Sequence, residues 1–240
     1  MEVGRSIHRV DAYDKVTGRA KYTDDFLEAP MLTARILHST IANGLVKSMH
    51  ISEAAAMEGV VRVVTCFDVP DIPYPTAGHP WSTEAAHQDT ADRKLLNRRV
   101  RIYGDEIAAV IAVDQVTAER ALKAIRVEYE EYPPLLTPQQ AMEKGAPAVH
   151  EECPDNVLKH TVHETPMDDS RFESIEEILT CPDYDQISGQ YETQQVQHCH
   201  IENPISYAYM EGGRIVVVTS TQIPHIVRRV IGQALGVGWG

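Results

Sequence analysis

Gln222 is the residue whose type and position point most directly to chemistry. It ends a short polar segment, Ser220 to Gln222, that separates an apolar run from an amphipathic one. The run Ile215 to Thr219 predicts a strand, and apolar residues at helical spacing predict a helix from Pro224 to the stop at Gly236. Unpaired N–H groups and the helix dipole at such a turn favour an electron-rich ligand, and an amide can donate and accept. From the residues alone, a capping or turn role for Gln222 is favoured over ligand binding.

His198, His200 and Glu202 form a second candidate site. They alternate along a segment expected to be extended, so all three side chains can lie on one side of it. Two imidazoles and a carboxylate suit zinc or non-haem iron, so a small metalloprotein is one hypothesis for function. Three nearly adjacent ligands on one strand rarely converge on a tetrahedral ion, and a packed polar patch is therefore the favoured interpretation.

The remaining polar motifs give weaker signals. Arg98, Arg99 and Arg101 form a basic run, for which a solvated strand edge is favoured over contact with an anion or a partner. The glycine-rich stretch at 236–240 follows a helix, so it does not predict a phosphate-binding loop. The four cysteines contain no C-x-x-C pair and are predicted to be isolated, reduced thiols, which disfavours iron–sulfur, structural zinc and disulfide sites.

Composition excludes whole classes of function. The 240 residues carry 22 Lys and Arg against 35 Asp and Glu, a formal net charge of −13. A nucleic-acid or anionic-membrane partner is therefore not expected, because phosphate groups require a basic face. Hydrophobic residues make up 43% and charged residues 24%, which is typical of a globular protein. No stretch approaches the roughly 18–20 apolar residues of a membrane helix, and the N-terminus lacks a secretory signal, so we predict a cytoplasmic location.

The elements that position these residues can be predicted from hydropathy. Asp105 to Val113 is nearly all apolar and predicts a strand buried on both faces, followed by a helix capped by Asp114 and the strand Val127 to Glu130, a β-α-β unit. Further strands are predicted at Arg35–Leu37, Val60–Cys66, Gln190–Val196 and Ile205–Met210, with a short helix at Ser52–Glu58 and a hairpin turn at Glu211–Arg214.

Two segments are predicted to lack long regular elements. Prolines crowd residues 70–80, which favours an ordered loop. Residues 133–188 are rich in proline and acidic residues and are typical of a long connector, with short helices near Gln139–Glu143 and Phe172–Leu179. We place a domain boundary inside this connector.

Several of these segments, in this order, resemble one known family. Val10 to Asp25, Glu58 to Val60, Gly104 to Ala112 and Val127 to Glu130 are similar to motifs of the molybdenum-binding subunit of the xanthine dehydrogenase and aldehyde oxidase family. A later block, Gln197–Glu202 and Thr219–Arg229, resembles the start of that family's molybdopterin-binding domain. The resemblance implies an α+β fold: an a/b hammerhead domain at residues 1–145, a connector at 146–188, and the beginning of a molybdopterin-binding domain, cut short, at 189–240.

The resemblance also implies a reaction and a set of partners. Family members hydroxylate a purine, related heterocycle or aldehyde carbon with oxygen from water, and electrons pass from molybdenum through iron–sulfur clusters to flavin. The loop at 71–81 and the stretch Gln222–Gln233 are most similar to bacterial xanthine dehydrogenase. The molybdenum cofactor, molybdopterin, is thus expected on this chain, and the iron–sulfur clusters and FAD on an iron–sulfur subunit and an FAD-binding subunit.

One site residue carries over from the family. Gln222 matches the glutamine that lies beside the molybdenum and hydrogen-bonds an oxygen ligand, so it is predicted as the cofactor-binding and metal-proximal residue. His198, His200 and Glu202 match a segment that the family does not use for metal ligation. At the position of the family's early arginine-serine-proline-histidine motif, this sequence has His38-Ser39-Thr40-Ile41. This departure concerns the contacts that the motif makes in the family and not the predicted fold.

The chain is also several hundred residues shorter than the family's subunit. It ends before the glutamate that serves the family as general base, so we expect no catalytic residue in this chain and no turnover without the remainder of the molybdenum subunit. The alternative function is a non-catalytic module that docks the partner subunits.

Overall fold

A computed structural model describes residues 3–26, 30–75, 90–158, 160, 162 and 171–238. The chain divides into two compact units, one formed by Met1–Leu158 with Glu202–Gly240 and the other by Lys159–Ile201. The strands are β1 Thr33–His38, β2 Gly44–His50, β3 Val60–Thr65, β4 Arg99–Val100, β5 Glu106–Ala112, β6 Arg126–Glu131, β7 Ser206–Glu211 and β8 Arg214–Thr219. The α-helices are α1 Ala12–Val16, α2 Ser52–Ala55, α3 Gln115–Ala124, α4 Pro138–Ala141, α5 Ile175–Thr180 and α6 Pro224–Leu235.

The first sheet has the order β1–β5–β3, and both outer strands run antiparallel to β5. The central strand confirms the predicted apolar run, because its residues Ile107, Ala108, Val110 and Ala112 are fully buried. Helix α3 packs against this sheet through Ala118 and Ala121, which join Val110 and Ala112 in one core cluster. The helix begins as predicted: the Oδ1 of Asp114 accepts a hydrogen bond from the N–H of Thr117 at 2.7 Å.

The prediction of a β-α-β unit is wrong in one respect. Strand β6 follows α3 as expected, but it pairs antiparallel with β2 in a second sheet of order β4–β2–β6. Both edges of β5 are already hydrogen-bonded, to β1 and β3, so no edge remains for a parallel partner. The second sheet has its own core cluster, Ile41, Val46, Val100 and Ile107, and the side chains of Leu37 and Val127 pack against both clusters.

The C-terminal elements form a hairpin followed by a helix. Strands β7 and β8 pair antiparallel, with Glu211 opposite Arg214 across the predicted turn. Gly212 and Gly213 have φ values of 55° and 78°, which suit a tight two-residue hairpin turn. Helix α6 starts with Pro224 in its first turn and ends at Gly236, whose φ of 65° is left-handed, as the sequence predicts.

The second unit contains α5 and extended chain. The N–H of Glu177 donates to the Oγ of Ser174 at 3.2 Å, which caps α5, and the rings of Phe172 and Tyr184 lie 6.0 Å apart. The predicted strand at Gln190–Val196 is wrong: this segment is exposed and non-regular, and it pairs with no other strand in the described parts of the chain. A strand needs a hydrogen-bonded neighbour, and the apolar pattern alone does not supply one. Residues 76–80 of the predicted proline-rich loop lie outside the described residues.

Candidate functional site

The strand β8 and the helix α6 present Gln222 in the turn that joins them. β8 ends at Thr219 and α6 begins at Pro224, so the predicted strand-to-helix turn is confirmed. The N–H of Ser220 donates to the carbonyl oxygen of Ile205 at 3.4 Å, which ties the start of the turn to the segment before β7. The turn therefore leaves the hairpin at a fixed point and enters the helix two residues after Gln222.

The turn satisfies part of its own backbone. The N–H of Ile223 donates to the Oγ1 of Thr221 at 3.1 Å, and Ile226 and Val227 donate to the carbonyl of Ile223 at 3.0 and 3.1 Å. No side chain caps α6, because its N-cap residue is Ile223. The first turn of the helix thus keeps the positive end of its dipole without an acidic side chain to neutralise it.

The side chain of Gln222 is exposed, and within the described ranges no hydrogen bond engages its amide. A glutamine amide offers two N–H donors and one oxygen acceptor, and it carries no charge. Beside an uncapped helix start, this donor set fits an electron-rich oxygen, such as an oxygen ligand of a metal cofactor or a phosphate group. Gln222 does not cap the helix, because the turn's backbone is bonded by Thr221 and Ile223 instead, and its position agrees with the turn role favoured from the residues alone.

His198, His200 and Glu202 were the second candidate site in the sequence. All three are exposed, and the two imidazole rings stack at 5.4 Å with an interplanar angle of 7°. Across the residues that the structure describes, no group of three or more His, Cys, Asp or Glu side chains is placed to hold a metal ion. The structure therefore gives no support to the metalloprotein hypothesis for these residues. The alternation along an extended chain correctly predicted that the two imidazole rings lie on one side of it. Metal ligation also requires that the ligand atoms converge on one point.

The cysteines are free, as predicted. Cys66, Cys153 and Cys181 are half-buried and Cys199 is exposed. Burial raises the pKa of the Cys66 thiol to about 11, so it remains protonated near neutral pH.

The basic run predicted as a solvated strand edge is only partly so. β4 is an edge strand and Arg98 is exposed, which agrees with that interpretation. Arg99 and Arg101 are half-buried and line a cavity of about 140 Å³ together with Arg93 and Asp105. The three residues in the run gave a signal for an anion contact, but the contribution of Arg93 could not be inferred because it joins them only in three dimensions.

No helix among the described residues is both long and apolar enough to cross a membrane.

Comparison with known proteins identifies two matching domains. The model for the aldehyde oxidase and xanthine dehydrogenase a/b hammerhead domain matches residues 17–133, and that for a molybdopterin cofactor-binding domain matches residues 149–239. Both matches agree with the resemblance found in the sequence and confirm the predicted α+β fold class.

Individual relatives give the same result. The chain is 45% identical to the xanthine dehydrogenase molybdenum-binding subunit of Escherichia coli O157:H7, over 96% of this chain and 30% of the relative. It is 28% identical to the nicotinate dehydrogenase large molybdopterin subunit of Eubacterium barkeri, over 98% of this chain and 51% of the relative. The crystal structure of the aldehyde oxidoreductase from Desulfovibrio desulfuricans is similar with a TM-score of 0.81 and 27% identity, over 98% of this chain and 26% of that one. The chain therefore spans 30% of the length of the first of these two curated relatives and 51% of the length of the second.

Proposed function

Because the chain belongs to the aldehyde oxidase and xanthine dehydrogenase family, whose members are oxidoreductases, we propose that it forms part of a molybdenum hydroxylase. Its substrate is a purine or a related heterocycle. The observation that carries this proposal is 45% identity to a xanthine dehydrogenase molybdenum-binding subunit over nearly the whole chain. The predicted division into a hammerhead domain, a connector and the start of a cofactor domain is part of the same proposal.

In this proposal Gln222 holds an oxygen ligand of the molybdenum cofactor. The exposed amide, free of hydrogen bonds within the described residues, can donate to that oxygen without adding charge. The uncapped start of α6 places the positive end of a helix dipole beside the same position. When bound, the molybdopterin cofactor supplies the two-electron oxidation that transfers oxygen from water to a carbon of the substrate.

The rest of the reaction depends on groups outside this chain. Iron–sulfur and FAD-binding partner subunits would carry the electrons away from the cofactor. The 240-residue chain spans only 30% of its xanthine dehydrogenase relative, so we propose that it has no turnover by itself. This arrangement assigns the chain one wall of the cofactor pocket. A cytoplasmic location stays a prediction.

A chimera provides the experiment that tests this function. The matching segment of about 232 residues in the Escherichia coli molybdenum-binding subunit is replaced by this chain, and the chimera is produced with its partner subunits. We expect the chimera to bind molybdenum and to oxidise xanthine or hypoxanthine, measured by elemental analysis and by dye reduction. We expect Gln222→Ala to lower the turnover rate by roughly 10²-fold, comparable to the removal of one preorganised donor from an active site.

Two further variants separate the role of the amide from a general loss of structure. Gln222→Glu keeps the side-chain length but adds a negative charge, and we expect it to lose at least as much activity as Gln222→Ala. Gln139→Ala removes another exposed glutamine, in α4, and should leave activity unchanged. A folded chimera without molybdenum would contradict the proposed function, and equal activity in Gln222→Ala would contradict the proposed role of Gln222.

A further inference from the structure

Three arginines converge on one cavity in the first unit. Arg93, Arg99 and Arg101 are half-buried and line a space of about 140 Å³. The backbone holds two of them in place: the Nε of Arg101 donates to the carbonyl of Val149 at 3.0 Å, and the Nη1 of Arg99 donates to the carbonyl of Gly44 at 3.0 Å. These anchors fix the guanidinium groups so that little side-chain freedom is lost when a ligand binds.

The anchors leave donors unused. Among the described residues, the guanidinium of Arg99 donates hydrogen bonds through Nη1 alone. Besides the carbonyl of Gly44, Nη1 donates to the Oδ1 of Asn43 at 2.7 Å and to the carbonyl of Val100. Arg101 uses only Nε, so within the described residues its two terminal nitrogens have no acceptor. Burial, followed by the nearby charge of Arg101, lowers the pKa of Arg99.

Asn97 supplies an independent indication of a ligand. Its side chain lines the same cavity and is only 5% exposed. The amide nitrogen Nδ2 is buried and has no hydrogen-bond partner among the residues that the structure describes. Buried polar groups are nearly always satisfied, so an unpartnered N–H donor beside three guanidinium groups points to an acceptor that binds there.

Acidic groups accompany the arginines at the cavity. The carboxylate of Asp105 is already engaged, since Oδ1 accepts from the Nη1 of Arg93 at 3.1 Å and Oδ2 accepts from the backbone N–H groups of Arg101 and Ile102 at 2.7 and 3.2 Å. Asp92 is the other carboxylate among the described lining residues, and the charge of Glu151 also acts on Arg99. His150 also lines the cavity, with its Nδ1 3.8 Å from a carboxylate oxygen of Glu152.

We propose that this cavity binds a small tetrahedral oxyanion of the phosphate or sulfate type. Guanidinium and amide N–H groups form strong, charge-assisted hydrogen bonds with such oxygens. The volume of about 140 Å³ is large enough for a compact anion. This proposal stands apart from the molybdenum chemistry, because none of its residues lies near Gln222 in sequence and its test needs no cofactor.

The test titrates inorganic phosphate into the 240-residue chain at constant ionic strength, with calorimetry and thermal unfolding as readouts. We expect saturable binding at one site per chain and a rise in the melting temperature that chloride at equal ionic strength does not produce. Binding should weaken at least tenfold in Arg101→Gln. Arg120→Gln makes the same change of charge at an exposed position on α3 outside the cavity and should bind as the unmodified chain does.

Asn97→Leu keeps the test decisive if Arg101→Gln fails to fold. Leucine fills the same space without the unpartnered donor, so the ligand-free variant should be at least as stable as the unmodified chain while phosphate binding weakens.

Glycerol phosphate distinguishes a free anion from a phosphate ester: binding of both supports a site open to ester head groups, and binding of phosphate alone supports an enclosed one. Absence of saturable binding, an equal loss in Arg120→Gln, or acetate binding as tightly as phosphate would overturn the proposal.

Discussion

The hammerhead region, residues 33–131, and the C-terminal region, residues 206–235, are built from similar apolar strands but bury them very differently. Twelve of the buried hydrophobic residues lie between Ile41 and Ile125, and the C-terminal region contributes only Ala234 among the described residues. Ile107 in β5 is fully buried, whereas Ile215 in β8 is 51% exposed. Two strands of comparable hydropathy thus have opposite environments.

The difference lies in the layers that cover each strand. β5 has a neighbour on both edges and packs between the core cluster around α3 and the cluster of the second sheet. The hairpin β7–β8 is a sheet of two strands, and the described contact of α6 with the hammerhead region includes a hydrogen bond from Nε2 of Gln233 to the carbonyl of Pro73 at 3.2 Å. A two-stranded hairpin is marginal by itself, so the stability of this chain should reside in the hammerhead region.

Hydrogen exchange should reveal the largest contrast between the two regions. We expect the amides of β5 to exchange only through global unfolding, and the amides of β7 and β8 to exchange through local opening. A difference of at least about 10²-fold in protection corresponds to roughly 2.7 kcal/mol. The measurement is exchange at peptide resolution on the 240-residue chain. Equal protection of β5 and β8 would show that the C-terminal region shares the hammerhead core.

A matched pair of truncations should give the next largest effect. Ile107→Ala removes a fully buried side chain from the cluster formed with Ile41, Val46 and Val100. We expect it to lower the free energy of unfolding by about 2–5 kcal/mol. Ile215→Ala makes the same chemical change on an exposed strand and should cost less than about 0.5 kcal/mol. Urea unfolding measures both, and a loss in Ile215→Ala as large as that in Ile107→Ala would contradict the comparison.

The sequence predicted the elements of both regions better than their environments. The run 105–113, the cap at Asp114 and the helix from Pro224 to the stop at Gly236 were all readable, because local spacing and end residues determine them. The sheet to which β6 belongs could not be predicted from the sequence. Strand pairing depends on which strand edges are free, and both edges of β5 are hydrogen-bonded to β1 and β3. For the same reason the extended segment Gln190–Val196 was wrongly predicted as a strand.

For the candidate sites too, the sequence predicts the element that carries a residue better than the residue's neighbours in three dimensions. The position of Gln222 in a turn before a helix could be predicted, because the residues at the end of β8 and at the start of α6 are typical of a strand end and a helix start. The sequence gave only one indication of the cavity lined by Arg93 and Asn97, namely the basic run that contains Arg99 and Arg101. Asn97 gave no signal, because an unpartnered amide is defined by what surrounds it in three dimensions.

Two glycines extend the comparison to the backbone. A Cβ at Gly44, in β2, would lie 2.3 Å from the carbonyl oxygen of Glu130 in β6, so the paired strands must separate. We expect Gly44→Ala to cost about 1–3 kcal/mol, as other overpacking substitutions do. A Cβ at Gly213 meets open space, and the left-handed φ of 78° alone should cost about 1–2 kcal/mol in Gly213→Ala.

Unfolding and exchange together distinguish the two glycine variants. Gly44→Ala should lower the global free energy of unfolding and increase exchange in β2 and β6. Gly213→Ala should increase exchange in β7 and β8 while leaving the urea midpoint of the hammerhead region nearly unchanged. An equal shift of the midpoint in both variants would mean that the hairpin and the hammerhead region unfold as one cooperative unit.

The smallest expected effect is a pH dependence at the end of β3. The Oδ2 of Asp68 accepts hydrogen bonds from the Oγ1 of Thr65 at 2.6 Å and from its backbone N–H at 2.8 Å, and these bonds lower the pKa of Asp68. Since the folded pKa lies below the unfolded value of about 3.9, the carboxylate stabilises the fold above that pH and this contribution is lost as the pH falls through the folded pKa. Asp68 is exposed, so solvent screening keeps the effect small.

Three variants isolate that contribution within the hammerhead region. Asp68→Asn removes the titrating group, so its difference in urea midpoint from the unmodified chain should be present at pH 7 and shrink towards pH 3. Thr65→Val removes the hydroxyl donor, which is the largest cause of the lowered pKa, and should flatten the pH dependence, whereas Thr65→Ser keeps the donor and should retain it. A difference for Asp68→Asn that stays constant from pH 7 to pH 3 would show that the carboxylate acts through shape and not through charge. Because β3 borders β5, such a result would place the contribution of this turn in the packing of the sheet edge.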